Sequence, residues 1–310
     1  MKNYAKLIKL TLLVVTSSLM FSCSDDDDAT QVENNSISAV ASRASNLSIL
    51  VSALEKTDLV STLDQPGPYT VFAPTNAAFT AFLTANGYDN LDAVPTPALK
   101  EILLNHVVSG SNLSTSLTTG YIKTLAKGAA SSTNTLSMFV NTESGVRLNG
   151  VSSVATADIV ATNGVIHIVD AVIGLPTVVT HAAANPNFST LVTLLSDQDL
   201  VGTLNGTSGS PFTVFAPINS AFDAATLALY GTYSNENKTA VLTYHVVAGV
   251  NVLSTGIPTT PIETFQGQTI SIAGTVITDQ TDRTTDIVAV DVQASNGVVH
   301  AINKVLLPAL

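Results

Sequence analysis

Residues 70–79 read TVFAPTNAAF, and residues 213–222 read TVFAPINSAF, 143 residues further on. The neighbouring words recur in the same order. LSILVSALEKTDLVSTL (47–63) returns as FSTLVTLLSDQDLVGTL (188–204), NHVVSG (105–110) as YHVVAG (244–249), and NGVIHIVDAVIGLP (163–176) as NGVVHAINKVLLP (296–308). A solenoid unit repeats every ~20 to 50 residues, whereas this interval fits a domain of about 100 to 150. The chain therefore holds two complete copies of one domain, assigned to residues 37–177 and 178–310. The offset shrinks toward the end of the repeat, which places the length differences in surface connections.

The residues before the first copy read differently. Lys2, Lys6 and Lys9 precede an apolar run over 10–21, well short of the ~20 residues of a membrane span. Residues 1–22 are read as an export signal. Met20-Phe21-Ser22 leads into Cys23, the only cysteine, and Met20 does not suit an ordinary signal peptidase, which prefers small residues at the last and third-last positions. The pattern resembles a bacterial lipobox, and a lone cysteine in an exported chain otherwise demands explanation. Cys23 is accordingly the expected lipidation site, in preference to a bystander thiol. Residues 23–36 contain the run Asp25-Asp26-Asp27-Asp28, whose self-repulsion predicts a solvated tether. An acidic run directly behind such a cysteine resembles the surface-export signal of Bacteroidetes lipoproteins. It predicts an outer-membrane lipoprotein displayed on the cell surface, with a periplasm-facing anchor as the alternative.

The formal net charge is −11, and loss of the lysine-bearing leader makes it more negative. With only 12 scattered Lys and Arg residues the chain has no basic footprint for nucleic acid. Each copy has the same local plan. Leu47, Leu50, Val51 and Leu54, like Phe188, Leu191, Val192 and Leu195, fall at helical spacing. Asp58 and Asp199 are expected to cap a short second helix, and Asn76 and Asn219 the helix that follows the TVFAP strand. A further helix is expected over about 97–108 and 235–247. Short β-branched runs broken by Gly, Asn and Asp then predict an antiparallel sheet, with tight turns at Asn163-Gly164 and Asn296-Gly297. The fold class is α+β, with helices concentrated in the first half of each domain.

The TVFAP blocks, the His-Val-Val words and the closing NGVIHIVDAVI and NGVVHAINKVL resemble the signature blocks of the fasciclin domain, twice and in order. The resemblance implies two tandem wedge-like β-sandwiches carrying helices, and a role in adhesion or attachment at the cell surface. The family's Tyr-His pair is intact as Tyr244-His245, whereas the first copy has Asn105-His106. If the pair contributes to recognition, domain 2 is the better candidate.

The chemistry-bearing residues favour structure over catalysis. His106, His245, His167 and His300 sit in apolar words at matched positions, as expected of buried imidazoles satisfied by backbone or side-chain partners. His181, at the junction, is expected to do nothing special. Neither domain contains a cysteine, and no zinc site or other cofactor is expected. Asp158 and Asp291 read as turn aspartates rather than a paired acid and base. No nucleophile elbow, phosphate loop or dinucleotide fingerprint occurs. The favoured function is a non-enzymatic lipoprotein that binds extracellular protein, matrix or glycan. Carriage of a small apolar ligand is the alternative, and hydrolysis of surface polysaccharide is the least supported.

Overall fold

A computed structural model describes residues 35–310; the export signal, Cys23 and the acidic run lie outside the described residues. In domain 1, α1 (Ile37–Arg43), α2 (Ser48–Lys56) and α3 (Val60–Leu63) precede β1 (Tyr69–Pro74), followed by α4 (Asn76–Ala85) and α5 (Thr96–Leu104). The strands β2 (Val107–Ser109), β3 (Gly120–Lys123), β4 (Ser137–Asn141), β5 (Arg147–Leu148), β6 (Ser152–Ala161) and β7 (Gly164–Val169) complete it. Domain 2 repeats the plan with α6 (Val178–Ala184), α7 (Ser189–Asp197), α8 (Leu200–Asn205), β8 (Phe212–Pro217), α9 (Ala224–Thr232) and α10 (Asn235–Thr243). Its strands are β9 (Val246–Ala248), β10 (Ile262–Glu263), β11 (Thr269–Ala273), β12 (Val276–Thr278), β13 (Thr284–Ala294) and β14 (Gly297–Ile302). Ser36, which the sequence reading left in the tether, caps α1 through its side chain.

Each domain is one seven-stranded ladder in the order β2-β1-β7-β6-β5-β4-β3, repeated as β9-β8-β14-β13-β12-β11-β10. The TVFAP words explain how it closes. Along β1, Val71 and Ala73 enter the cluster beneath the helices, while Phe72 joins Met138, Val140 and Leu148 between the two halves of the ladder. β8 divides likewise, with Val214 and Ala216 under helices and Phe215 against Ile270, Ile272 and Ile277. A strand covered on both faces needs a continuous apolar run, which is what the repeated word supplies. The repeated threonine also has work: Thr70 Oγ1 donates to the Gly110 carbonyl (2.7 Å) and accepts from Asn112 N (2.8 Å).

The expected antiparallel sheet is broken at one place in each domain. β1 pairs in parallel with β7, and β8 with β14. Tight hairpins form one residue earlier than expected: Ala161 pairs with Gly164 and Ala294 with Gly297, so Thr162-Asn163 and Ser295-Asn296 make the turns and the glycines open the last strands. The glycines serve a further purpose, because a Cβ on Gly164 would lie 2.0 Å from the Tyr69 carbonyl oxygen, and one on Gly297 2.2 Å from that of Phe212.

Several local expectations fail. Asp58 and Asp199 cap nothing with their side chains; both are left-handed links, at φ 57° and 53°. Asn76 does not cap α4, since Thr75 accepts from Ala78 N. Instead Asn76 accepts from Ile49 N (2.9 Å) and donates to Ser45 O and Ser48 Oγ, fastening the start of α2. Asn219 makes the matching bonds to Thr190 N, Pro186 O and Ser189 Oγ. The helix expected over 97–108 stops at Leu104, and the one expected over 235–247 stops at Thr243. The Val-Val pairs beyond them are the edge strands β2 and β9, because β-branched side chains suit a pleated surface.

The two domains are docked. Ala129 N and Ala130 N donate to the Ser295 carbonyl (3.1 and 2.9 Å), and Gln293 N donates to Ser137 Oγ (3.0 Å). Lys123 Nζ reaches the Asp291 carbonyl at 2.9 Å, and its half-burial lowers its pKa. Tyr121 packs edge-on against His181 at 5.5 Å.

Candidate functional site

The signature histidines are anchors for the backbone. α5 ends at Leu104, which brings His106 Nδ1 within 2.7 Å of the Ile102 carbonyl, while Nε2 accepts from Ile173 N at 2.9 Å. His245 repeats this with Val241 O (2.8 Å) and Leu306 N (2.9 Å). A carbonyl only accepts and an amide N–H only donates, so each ring is fixed as the neutral Nδ1–H tautomer. Burial pushes both rings down to about 4.

His167 and His300 take the opposite tautomer. Their Nε2–H groups donate to Asn112 O (2.9 Å) and Val252 O (2.8 Å), and Nδ1 accepts from Asp158 N (3.2 Å) and Asp291 N (3.4 Å). Both aspartates have left-handed backbones, φ 63° and 61°, at bulges where the register of β6 and β13 shifts. Their carboxylates grip a neighbouring loop. Asp158 accepts from Ser114 N (2.7 Å) and Oγ (2.6 Å), and Asp291 from Ser254 N (2.8 Å) and Oγ (2.6 Å). These bonds hold the Asp158 carboxyl below the usual range. The two aspartates belong to separate domains and each has its own structural task.

Tyr244 is fully buried, its hydroxyl donating to Thr269 O (2.8 Å) and accepting from Gln280 N (3.1 Å). Burial pushes this phenol up to about 12. Asn105 occupies the same place in domain 1, donating to Gly174 O (3.0 Å) and accepting from Thr124 Oγ1 (3.2 Å). Neither member of the Tyr-His pair lies on the surface. His181, expected to be idle, is wholly buried at the domain junction, where Nε2 meets Gln293 O (3.1 Å) and Nδ1 has no partner. Burial pushes it down to about 4. Its surroundings come from both domains, Gln293 of domain 2 and Tyr121 of domain 1, which no local word announces. Among the described residues no group of three or more His, Cys, Asp or Glu could hold a metal ion.

One apolar concavity is lined partly by the signature histidine of domain 2. In domain 2 a largely apolar cavity of about 280 Å³ lies between α9, α10 and the closing segment, lined by Phe222, Leu229, Tyr230, Val241, Val305 and Leu307 among others. His245 lies in its wall and Arg283 borders it. No motif marks it; its one trace in the sequence is the contrast between residues 81–83 (AFL) and 224–226 (AAT).

Comparison with known proteins adds the following. The fasciclin domain family matches the chain twice, over residues 45–176 and 186–308. Protein sll1483 of Synechocystis is 37% identical over 134 residues, covering 43% of this chain and 70% of that protein. The cell surface glycolipoprotein MPB83 of Mycobacterium bovis is 36% identical over 138 residues, 42% of this chain and 60% of that protein. Stabilin-2 of Rattus norvegicus is 24% identical over 235 residues, 69% of this chain but 16% of that protein. A solved FAS1 domain pair from the insect cell adhesion molecule Fasciclin I shares the fold, with a TM-score of 0.51 and 19% identity over 84% of this chain and 97% of that one.

Proposed function

This chain belongs to the fasciclin domain family, as a tandem pair of such domains, and from that premise we propose that it is a non-enzymatic binding protein of the cell surface. One observation carries the reading: the signature histidines and the aspartates beside them are spent on fixing backbone. A general acid or base must reach a substrate proton, whereas the histidines are committed to interior amides and carbonyls and the part-exposed aspartates to Ser114 and Ser254. Recognition then falls to the outer surface of a docked domain pair, with an extracellular protein, matrix component or glycan as partner. Attachment through lipid at Cys23 rests on the lipobox-like leader, and the mycobacterial relative, a cell surface glycolipoprotein by name, supports it. The cavity of domain 2 favours a second reading beside this one, carriage of a small apolar ligand.

The test pairs location with binding. Protease shaving of intact cells should remove the native protein, and Cys23→Ala should release it from membranes. The purified chain without residues 1–23 should bind immobilised matrix proteins or surface glycans, and loss of domain 2 should weaken that binding. Complete protection in intact cells would move the protein to the periplasmic side and defeat the adhesion reading.

A further inference from the structure

Duplication supplies an internal control for the cavity of domain 2. At the offset of the TVFAP blocks, Phe82 and Leu83 of domain 1 correspond to Ala225 and Thr226. Leu83 is buried, and Phe82 packs beside it against the domain 1 core. Their small counterparts both line the cavity. The backbone differs as well. α4 runs unbroken from Asn76 to Ala85, whereas the second copy makes a single turn over Asn219–Ala221 and restarts at Ala224, with Asp223 accepting from Thr226 N at 2.7 Å. The restarted helix α9 buries no residue, and Leu227 and Leu229 are 41% and 44% exposed. Domain 2 has removed the filling and kept a cover.

The polar groups bordering the cavity are the Arg283 guanidinium, His245, and the Thr226, Tyr230 and Tyr233 hydroxyls, of which the guanidinium can only donate. Arg283 makes no side-chain hydrogen bond or ion pair among the described residues, although its field reaches Asp223, whose carboxylate is already engaged at the start of α9. Of the other nearby carboxylates, Asp279 accepts from Leu307 N, Thr281 N and Arg283 N, while the charge of Asp197 reaches Tyr230. The Tyr230 hydroxyl is buried without a partner. His245 offers nothing, since both ring nitrogens are occupied. At 280 Å³ the space is about twice the ~150 Å³ that admits benzene, enough for a medium acyl chain or a two-ring body. Resting on the carrier reading, the geometry points to a site for a carboxylate-headed amphiphile, its apolar body beneath α9 and its head at Arg283.

Decanoate and its neutral counterpart decanol are the probes, titrated calorimetrically into the purified chain without residues 1–23. Decanoate is expected to bind on the order of tenfold more tightly than decanol, as a charge-assisted hydrogen bond to the head allows. Arg283→Gln should abolish that preference, and Ala225→Phe/Thr226→Leu, which restores the domain 1 side chains, should abolish binding of both. The urea midpoint of each variant reports folding; if the double variant does not fold, Thr226→Leu alone and Arg283→Gln decide. Absence of binding by either probe overturns the site and the carrier reading together. Equal binding of both, unchanged by Arg283→Gln, overturns the carboxylate assignment and leaves apolar carriage standing. Undiminished binding to a folded, filled variant places the probe elsewhere and overturns the site.

Discussion

Acidification from about pH 7 to about pH 5 is expected to destabilise the protein through histidines that are neutral in the fold. Burial pushes His106, His181 and His245 down to about 4, from an ordinary 6.5. In the unfolded chain the same rings take up protons near pH 6.5. The folded state therefore binds fewer protons across this interval, and stability falls as pH drops through the unfolded value and levels off near the folded one. A displacement of this size corresponds to ~2 kcal/mol lost per ring between about pH 7 and pH 5, and ~3 kcal/mol once the folded pKa is passed. The contacts supply the cause. A proton on Nε2 of His106 or His245 would set an N–H against the N–H of Ile173 or Leu306. His181 has a vacant Nδ1, so its resistance to protonation comes from burial, with Lys123 adding repulsion. Together the three rings account for ~6 kcal/mol over that interval, comparable to the stability of a whole domain. Urea midpoints measured at pH 7, 6 and 5, together with ring resonances of the folded protein, check this. A midpoint that stays level over that range, or rings that titrate near 6.5 while the protein is folded, would refute the reasoning.

Three substitutions probe other contacts. Tyr244→Phe leaves Gln280 N without its acceptor, while Thr269 O keeps a bond from Gln280 Nε2 at 2.8 Å. Its cost should be ~1 to 2 kcal/mol by urea denaturation, less than if both partners were orphaned. Gly297→Ala sets a Cβ 2.2 Å from Phe212 O and should prevent β8 and β14 from pairing, seen as loss of domain 2 amide protection with domain 1 retained. Gly128→Val adds a branched side chain where the backbone has φ +72° and a Cβ would already lie 2.9 Å from Ser295 Cα. It should loosen domain docking, read as an increased radius of gyration in solution scattering, with the secondary structure unchanged.

The duplication, the helical first half and the TVFAP strand were legible because burial imposes a periodicity that local sequence records. So was the structural role of His106, His167, His245 and His300, since a polar ring inside an apolar word must find partners, which the fold supplies from the backbone. What escaped depended on distant segments. Asn76 and Asn219 look like caps locally, yet bond to helices more than twenty residues earlier. The apolar run of β1 marks a buried strand but does not name β7 as its parallel partner, and nothing local marks the contact of His181 with Tyr121. The cavity is a difference between the copies, visible only once Ala225 and Thr226 are set against Phe82 and Leu83 at the same sequence offset.

The parallel pairing also governs how the chain can mature as it leaves the ribosome or crosses a membrane. β1 begins at Tyr69, but its parallel neighbour begins at Gly164, so nearly a hundred residues must emerge before this part of the ladder can zip. Until then the nascent chain carries β1 with an open edge and its apolar faces uncovered, a vulnerable state for any strand. Domain 2 meets the same wait between Phe212 and Gly297. Vectorial synthesis or export should therefore yield two late, stepwise closures, one as each final strand arrives, and a chain cut just before either strand should fall prey to holdases and proteases.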